Sequence, residues 1–135
     1  MKPSILVDTS VWIEVWRRDA TGPQEALQRE LEDADTYFSA LVQLEVLAGS
    51  IHEKEWRALR HFFAGQIFLP VLDESWERAA RIFFDLRRRG LTVRSLVDCC
   101  LAQQALDHDL LLLHRDRDYE AIARVRPLRQ RYLDL

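Results

Sequence analysis

The chain has 135 residues, of which 48% are hydrophobic and 30% charged, as in a globular domain that buries its own core. No apolar run reaches the roughly 20 residues of a membrane span, and a single lysine before the first apolar run is not a signal peptide. We therefore expect one domain over residues 1–135, in the cytoplasm and without a membrane partner. The net charge of −3 argues against a general coat of nucleic acid, although all but two of the 19 positive residues are arginines.

The two cysteines, Cys99 and Cys100, are adjacent in the sequence. Neighbours in a helix point in different directions, so a disulfide between them is not expected. The four histidines are scattered and no second cysteine pair exists, which excludes a typical structural zinc site.

Short apolar runs alternate with amphipathic segments along the chain. The predicted strands lie at residues 5–7, 36–39, 67–71 and 110–113. The first predicted helix begins at residue 11 and has Arg17 and Arg18 in its last turn. The other predicted helices cover residues 23–34, 40–48, 51–64, about 75–89, 96–107 and 118–124, and a polar tail follows. A capping box at Ser50 and Glu53 and a serine cap at Ser95 are expected to start two of the helices. This order predicts an α/β domain with a mostly parallel, doubly wound sheet.

Acidic residues stand at two strand ends and in two apolar helices. Asp8 follows the first strand, Asp116 follows the Leu110–Leu113 run, and Glu45 and Asp98 lie in helices. Ligands of open α/β sheets bind at the carboxyl ends of the strands, where such groups would meet. Gathered carboxylates repel one another unless a cation is present, and oxygen ligands favour Mg²⁺ or Mn²⁺.

Each acid also has a simpler structural explanation. Asp8 could cap the following helix, and Asp98 could complete a capping box at a helix start. Glu45 could pair with an arginine, and Asp116 and Asp118 could be solvated in a polar loop. The joint placement of the acids is more specific than any single one.

Four segments together resemble a known family. They are the apolar-Asp-Thr-Ser start at 5–10, the glutamate within the apolar helix 41–47, Arg-Ser-Leu-Val-Asp-Cys-Cys-Leu-Ala at 94–102 and Leu-Leu-x-x-Asp-x-Asp-Tyr at 112–119. In this order they resemble the PIN-domain ribonucleases, and the short chain is most similar to the VapC toxins of prokaryotic toxin–antitoxin pairs.

The resemblance implies a three-layer α/β/α fold and an Mg²⁺- or Mn²⁺-dependent endoribonuclease that hydrolyses RNA with metal-activated water. The implied catalytic residues are Asp8, Glu45, Asp98 and Asp116, of which Asp8, Asp98 and Asp116 would hold the metal, with Ser10 and Asp118 as accessory residues. Arg94, Arg115 and Arg117 flank the acidic motifs and are candidates for contacts with RNA phosphates.

Two positions depart from the family pattern. His114 stands where threonine or serine is usual, and Tyr119 stands where phenylalanine is commoner. We expect His114 to lie on the surface, with substrate contact or titration near neutral pH as alternatives.

A toxin implies a neutralising antitoxin whose C-terminal tail covers the acidic groove, in a homodimer or a toxin–antitoxin hetero-oligomer. Trp12, Trp16 and Trp56 are expected mainly in the core. A receiver domain would need a lysine after a late strand, and a haloacid-dehalogenase-type phosphatase would need aspartate in place of Ser10, so the sequence argues against both. A catalytically silent interaction module with the same fold remains the alternative to the nuclease.

Overall fold

Four parallel strands form the centre of the protein, in the spatial order β2-β1-β3-β4. The structure is a computed structural model that describes residues 2–17 and 21–135. The strands are β1 (Ser4–Val7), β2 (Asp35–Tyr37), β3 (Leu111–His114) and β4 (Gln130–Tyr132). Leu6 of β1 pairs with Tyr37 on one side and with Leu112 on the other. β1 therefore has a paired strand at each edge, and its aliphatic side chains are buried, as expected for a central parallel strand.

Seven helices connect and cover these strands in the described part of the chain. They are α1 (Thr9–Arg17), α2 (Thr21–Leu31), α3 (Ala40–Ala48), α4 (Glu53–Ala64), α5 (Ser75–Arg88), α6 (Leu96–Asp107) and α7 (Asp118–Ile122). The predicted three-layer α/β/α class with a parallel central sheet is confirmed.

The two ends of the sheet differ from the sequence prediction. Residues 67–71 form no strand in the structure, and only one bridge joins Phe38 to Phe68. Pro70 lacks the amide hydrogen that a longer ladder needs. The tail was predicted to be polar and irregular, but Gln130–Tyr132 forms β4 beside β3. Its three-residue pattern is too short to be distinguished from a loop by periodicity.

Helix starts confirm one predicted cap and contradict another. Ser95 accepts a hydrogen bond from the amide of Val97 and so caps α6. The predicted capping box at Ser50 and Glu53 is wrong, because His52 is the residue that precedes α4. The second helix begins at Thr21, earlier than predicted, and Arg18 lies outside the described residues.

An aromatic cluster packs α1 against α4 and the end of β2. The rings of Trp12 and Trp16 stack at 5.0 Å, which confirms that they share one helix face. Trp12 also stacks on Phe38 at 5.3 Å, and Phe62 meets Trp16 edge to face at the same separation. Trp56, in contrast, is exposed. Burying several rings together fixes α1, which directly follows Asp8.

Both cysteines are free thiols, as expected.

Across residues 2–17 and 21–135, no helix is long and apolar enough to cross a membrane.

Candidate active site

Asp8 lies in the interior at the carboxyl end of β1, where α1 begins. Its Oδ2 accepts hydrogen bonds from the amide of Ser10 at 3.1 Å and from the Ser10 hydroxyl at 2.5 Å. The Ser10 hydroxyl also accepts the amide of Arg115 at 2.9 Å. Asp8 therefore caps α1 while its other oxygen faces the neighbouring acids. The residue is thus both a helix cap and part of the acidic site. Ser10 connects β1 to the loop after β3.

Tyr119 joins Asp8 to Asp98. The buried Tyr119 hydroxyl lies 2.7 Å from Oδ1 of Asp8 and 3.2 Å from Oδ1 of Asp98. Sequence reasoning assigned no role to this hydroxyl. The replacement of phenylalanine by a residue with a hydrogen-bond donor was the available signal, because a buried phenol seeks a partner.

Burial, which is the largest cause, and the negative charges of Asp8 and Asp116 together raise the pKa of Asp98 from 3.8 to about 7. The hydrogen bond from Tyr119 acts against this shift. Asp98 occupies the first turn of α6, where the positive end of the helix dipole also favours an anion. The pKa of Asp98 is nevertheless raised, so these favourable contacts do not compensate for burial and the clustered negative charge.

Asp116, in the loop after β3, and Asp118, the first residue of α7, complete the acidic group. Oxygen atoms of Asp98, Asp116 and Asp118 lie within 4.8 Å of one another. The Asp118 amide donates to Oδ1 of Asp116 at 3.0 Å, which fixes the loop. Arg94 donates to Asp116 at 2.9 Å and to Asp118 at 3.2 Å.

Glu45 lies beside this group and not within it. The Thr9 hydroxyl, one residue after Asp8, donates to its carboxylate at 2.9 Å. Glu45 stands at the exposed side of α3. Partial desolvation nevertheless raises its pKa; the Thr9 hydrogen bond lowers it, and the charge of Asp8 raises it. Its partner is a hydroxyl and not an arginine, so the simpler explanation of an ion pair does not apply.

His114 is fully buried at the end of β3, so the expected surface position is wrong. Its Nδ1 accepts the amide of Asp116 at 3.2 Å, and its Nε2 lies 2.6 Å from Oε1 of Gln130 on β4. An Nδ1 that accepts places the proton on Nε2, which then donates to Gln130. The strand β4, absent from the sequence prediction, is what covers this ring. His114 thus holds the backbone of Asp116 in place.

The three candidate RNA-contact arginines have partners within the protein. Arg94 binds the acids, although its side chain is 76% exposed. Arg115 donates to the carbonyl of Leu133 at 2.8 Å, and Arg117 donates to Glu120 at 2.8 Å. Arg94 is therefore the one of the three that touches the acidic group directly.

The donor set fits a hard divalent cation. Carboxylate oxygens, with no sulfur or imidazole among the three clustered groups, are the ligands that Mg²⁺ and Mn²⁺ prefer. The guanidinium of Arg94 already binds two of these carboxylates, which indicates that the group attracts positive charge.

Comparison with known proteins finds related ribonucleases. The chain is 36% identical over 126 residues to Ribonuclease VapC11 of Mycobacterium tuberculosis and, equally, to VapC ribonuclease Mb1587 of Mycobacterium bovis. Each alignment covers 90% of this chain and 92% of the relative.

Solved structures share the fold. VapBC2 of Rickettsia felis, bound to a promoter DNA fragment, superposes with a TM-score of 0.75 at 14% identity, over 97% of this chain and 99% of the other. FitAcB of Neisseria gonorrhoeae gives a TM-score of 0.68 at 25% identity, over 88% and 93% of the two chains. The PIN domain family model matches residues 5–125. The acidic strand ends, the parallel sheet and these matches together show that the chain belongs to the PIN domain family.

Proposed function

We propose that this protein is an Mg²⁺- or Mn²⁺-dependent endoribonuclease that acts as the toxin of a toxin–antitoxin pair. The observation that carries the proposal is the group of Asp98, Asp116 and Asp118, whose oxygens lie within 4.8 Å of one another, with Asp8 connected to it through Tyr119. The relatives named as VapC ribonucleases support the choice of RNA as substrate.

In this proposal the clustered aspartates hold the metal, with Asp8 beside them. A bound divalent cation supplies charge neutralisation at the phosphate and a lowered pKa for the attacking water. Ser10 and Tyr119 orient the two oxygens of Asp8 before substrate arrives, so little reorganisation remains for the reaction. His114 and Arg94 fix the backbone and the carboxylate of Asp116, respectively.

Arg94 and Glu45 lie at the edge of the site, and each has a different proposed role. The exposed guanidinium of Arg94 is placed to bind a substrate phosphate beside the acids. Glu45, with a raised pKa and next to Asp8, is placed to exchange a proton with water or a leaving oxygen.

The direct test uses purified protein, cellular RNA and Mn²⁺. We expect cleavage that stops on addition of EDTA and that falls by at least about 100-fold in Asp8→Asn. Asparagine keeps one carbonyl oxygen that accepts from Ser10, and its amide group can donate to the Tyr119 hydroxyl, which still donates to Asp98, so the fold is retained. Asp109→Asn is the matched control: this exposed acid lies at the opposite end of β3, and asparagine tolerates its positive φ of 53°.

A lack of both RNA cleavage and metal binding would contradict the proposal that this protein is an enzyme. If no cellular RNA is cleaved and titration detects no bound metal, the chain is a PIN-fold interaction module. The toxin role has its own test: expression is expected to arrest growth, and coexpression of an adjacent antitoxin gene is expected to restore it. Cleavage without any growth effect would remove the toxin role and leave the nuclease.

A further inference from the structure

A second charged surface lies on α5, outside the group formed by Asp98, Asp116 and Asp118. It is a concavity of about 440 Å³ that is lined by four arginines. We call it the α5 arginine face, and its charged members are Arg81, Arg88, Arg89, Arg126 and one acid, Asp85. Four positive groups against one negative group are unusual in a chain whose net charge is −3.

The single acid does not neutralise this surface. Asp85 accepts from Arg81 at 3.1 Å and lies 2.9 Å from Arg126, so one carboxylate serves two guanidinium groups. Among the described residues, neither Arg88 nor Arg89 has a carboxylate partner. Arg89 instead donates to the backbone carbonyl of Arg124. The face therefore retains positive charge that can bind an anion.

An exposed aromatic ring lies among the same arginines. Phe84 is 46% exposed, with the guanidinium carbons of Arg81 and Arg88 at 4.6 Å and 5.7 Å from its ring centroid. Cations beside an accessible ring are the combination that binds single-stranded nucleic acid: arginine contacts phosphate while a base stacks on the ring. An acidic protein segment would use the charges but has no need of the ring.

Two segments of the chain connect the α5 arginine face to the acidic group. Arg89 directly follows α5, and five residues later Arg94 binds Asp116 and Asp118. Arg89 also binds the carbonyl of Arg124, which lies two residues beyond the end of α7, the helix that begins at Asp118. An RNA strand in the acidic site would reach the face within a few nucleotides.

We propose that the α5 arginine face binds the phosphate backbone of substrate RNA outside the cleavage site. This inference rests on the proposed ribonuclease function. The acidic site repels phosphate before a metal is present, so a separate positive surface is needed to retain the strand. Such binding contributes affinity without reading sequence.

The test compares a long and a short substrate with the double variant Arg81→Gln/Arg88→Gln. We expect the KM for a single-stranded RNA of about 30 nucleotides to rise about tenfold, with kcat nearly unchanged, because phosphate contacts are lost. A tetranucleotide that spans only the cleaved bond is expected to show no change. The matched control is Arg57→Gln/Arg60→Gln, which removes two exposed arginines from α4.

A binding measurement separates this inference from the proposed function. In the Asp8→Asn background, the slope of log K against log salt for the long RNA is expected to become shallower by about 1.4 when two phosphate contacts are removed. If the wild-type protein cleaves neither RNA, the ribonuclease proposal fails while this slope still tests the face. An unchanged slope with an unchanged KM would overturn the inference and assign the face to an acidic protein partner.

Discussion

The carboxyl group of Asp98 is both buried and close to other negative charges, and both effects raise its pKa. Its pKa of about 7 lies above the 3.8 expected for the unfolded chain. Between these values the folded state binds more protons than the unfolded state. The free energy of unfolding contributed by this group therefore falls as pH rises from about 4 to about 7.

We expect Asp98→Asn to stabilise the metal-free protein at about pH 8 by on the order of 1–2 kcal/mol, and to have little effect at about pH 4. Asparagine resembles the protonated acid, so the gain appears only where wild-type Asp98 is ionised. Because water screens the partly exposed carboxyl group, the expected gain in the free energy of unfolding is smaller than the pKa difference alone would give. Urea unfolding in EDTA at the two pH values measures the difference.

Asp109→Asn again serves as the control, since it removes an exposed carboxylate that lies outside the acidic group. A gain of equal size at both pH values, or a loss at the higher one, would contradict the electrostatic origin.

Single residues also show where sequence reasoning ends. That Asp8 and Asp116 lie at the same edge of the sheet could be predicted, because parallel strands deliver their carboxyl ends to one edge. The bridging hydroxyl of Tyr119 and the burial of His114 could not. Both depend on which side chains meet from distant segments, and neither periodicity nor local propensity contains that information.

Among the elements, α7 depends most on its tertiary contacts. It has five residues, and helices this short are not stable alone in water. Its Tyr119 and Ile122 side chains are fully buried, and Arg94 binds Asp118 at its first turn. The hydroxyl of Tyr119 then fixes the helix to both β1 and α6 through their acids.

We expect Tyr119→Phe to lower the free energy of unfolding by about 1–3 kcal/mol at neutral pH, because the buried Asp8 loses a donor while the ring packing stays. The pKa of Asp98 should rise further, since the hydrogen bond that lowers it is removed. Denaturant unfolding and amide hydrogen exchange of residues 118–122 measure these effects.

Tyr37→Phe on β2 provides the matched removal of a hydroxyl. Equal losses in the two variants would show that the Tyr119 bridge has no special part in holding α7.

The elements themselves were predicted unevenly, for a physical reason. Strands with aliphatic runs, such as Leu111–His114, carry their own burial signal. The strand β4 does not: Gln130, Arg131 and Tyr132 become a strand because β3 offers them a free edge. Conversely, residues 67–71 have strand-like side chains, but no neighbouring strand extends far enough to pair beyond Phe68.

At the scale of the whole molecule, charge is separated more than its net value of −3 suggests. Carboxylates meet at the carboxyl ends of β1 and β3, while arginines collect on α5 and after α7. Composition alone gave no indication of this division, because the opposite charges cancel in the sum. Burial and mutual repulsion disfavour ionised Asp98, so a cation bound at the acidic group should stabilise the entire fold.

We expect Mn²⁺ to raise the free energy of unfolding by about 2.7 kcal/mol at 100 times its Kd, because binding to the folded state alone shifts the equilibrium by mass action. Asp116→Asn should remove most of this gain, whereas Asp109→Asn should keep it. Thermal unfolding with increasing MnCl₂ measures the effect, and NaCl at matched ionic strength controls for screening, which acts on exposed charges without a defined site. A similar shift with NaCl, or full retention of the manganese shift in Asp116→Asn, would show that the clustered aspartates are not where the cation binds.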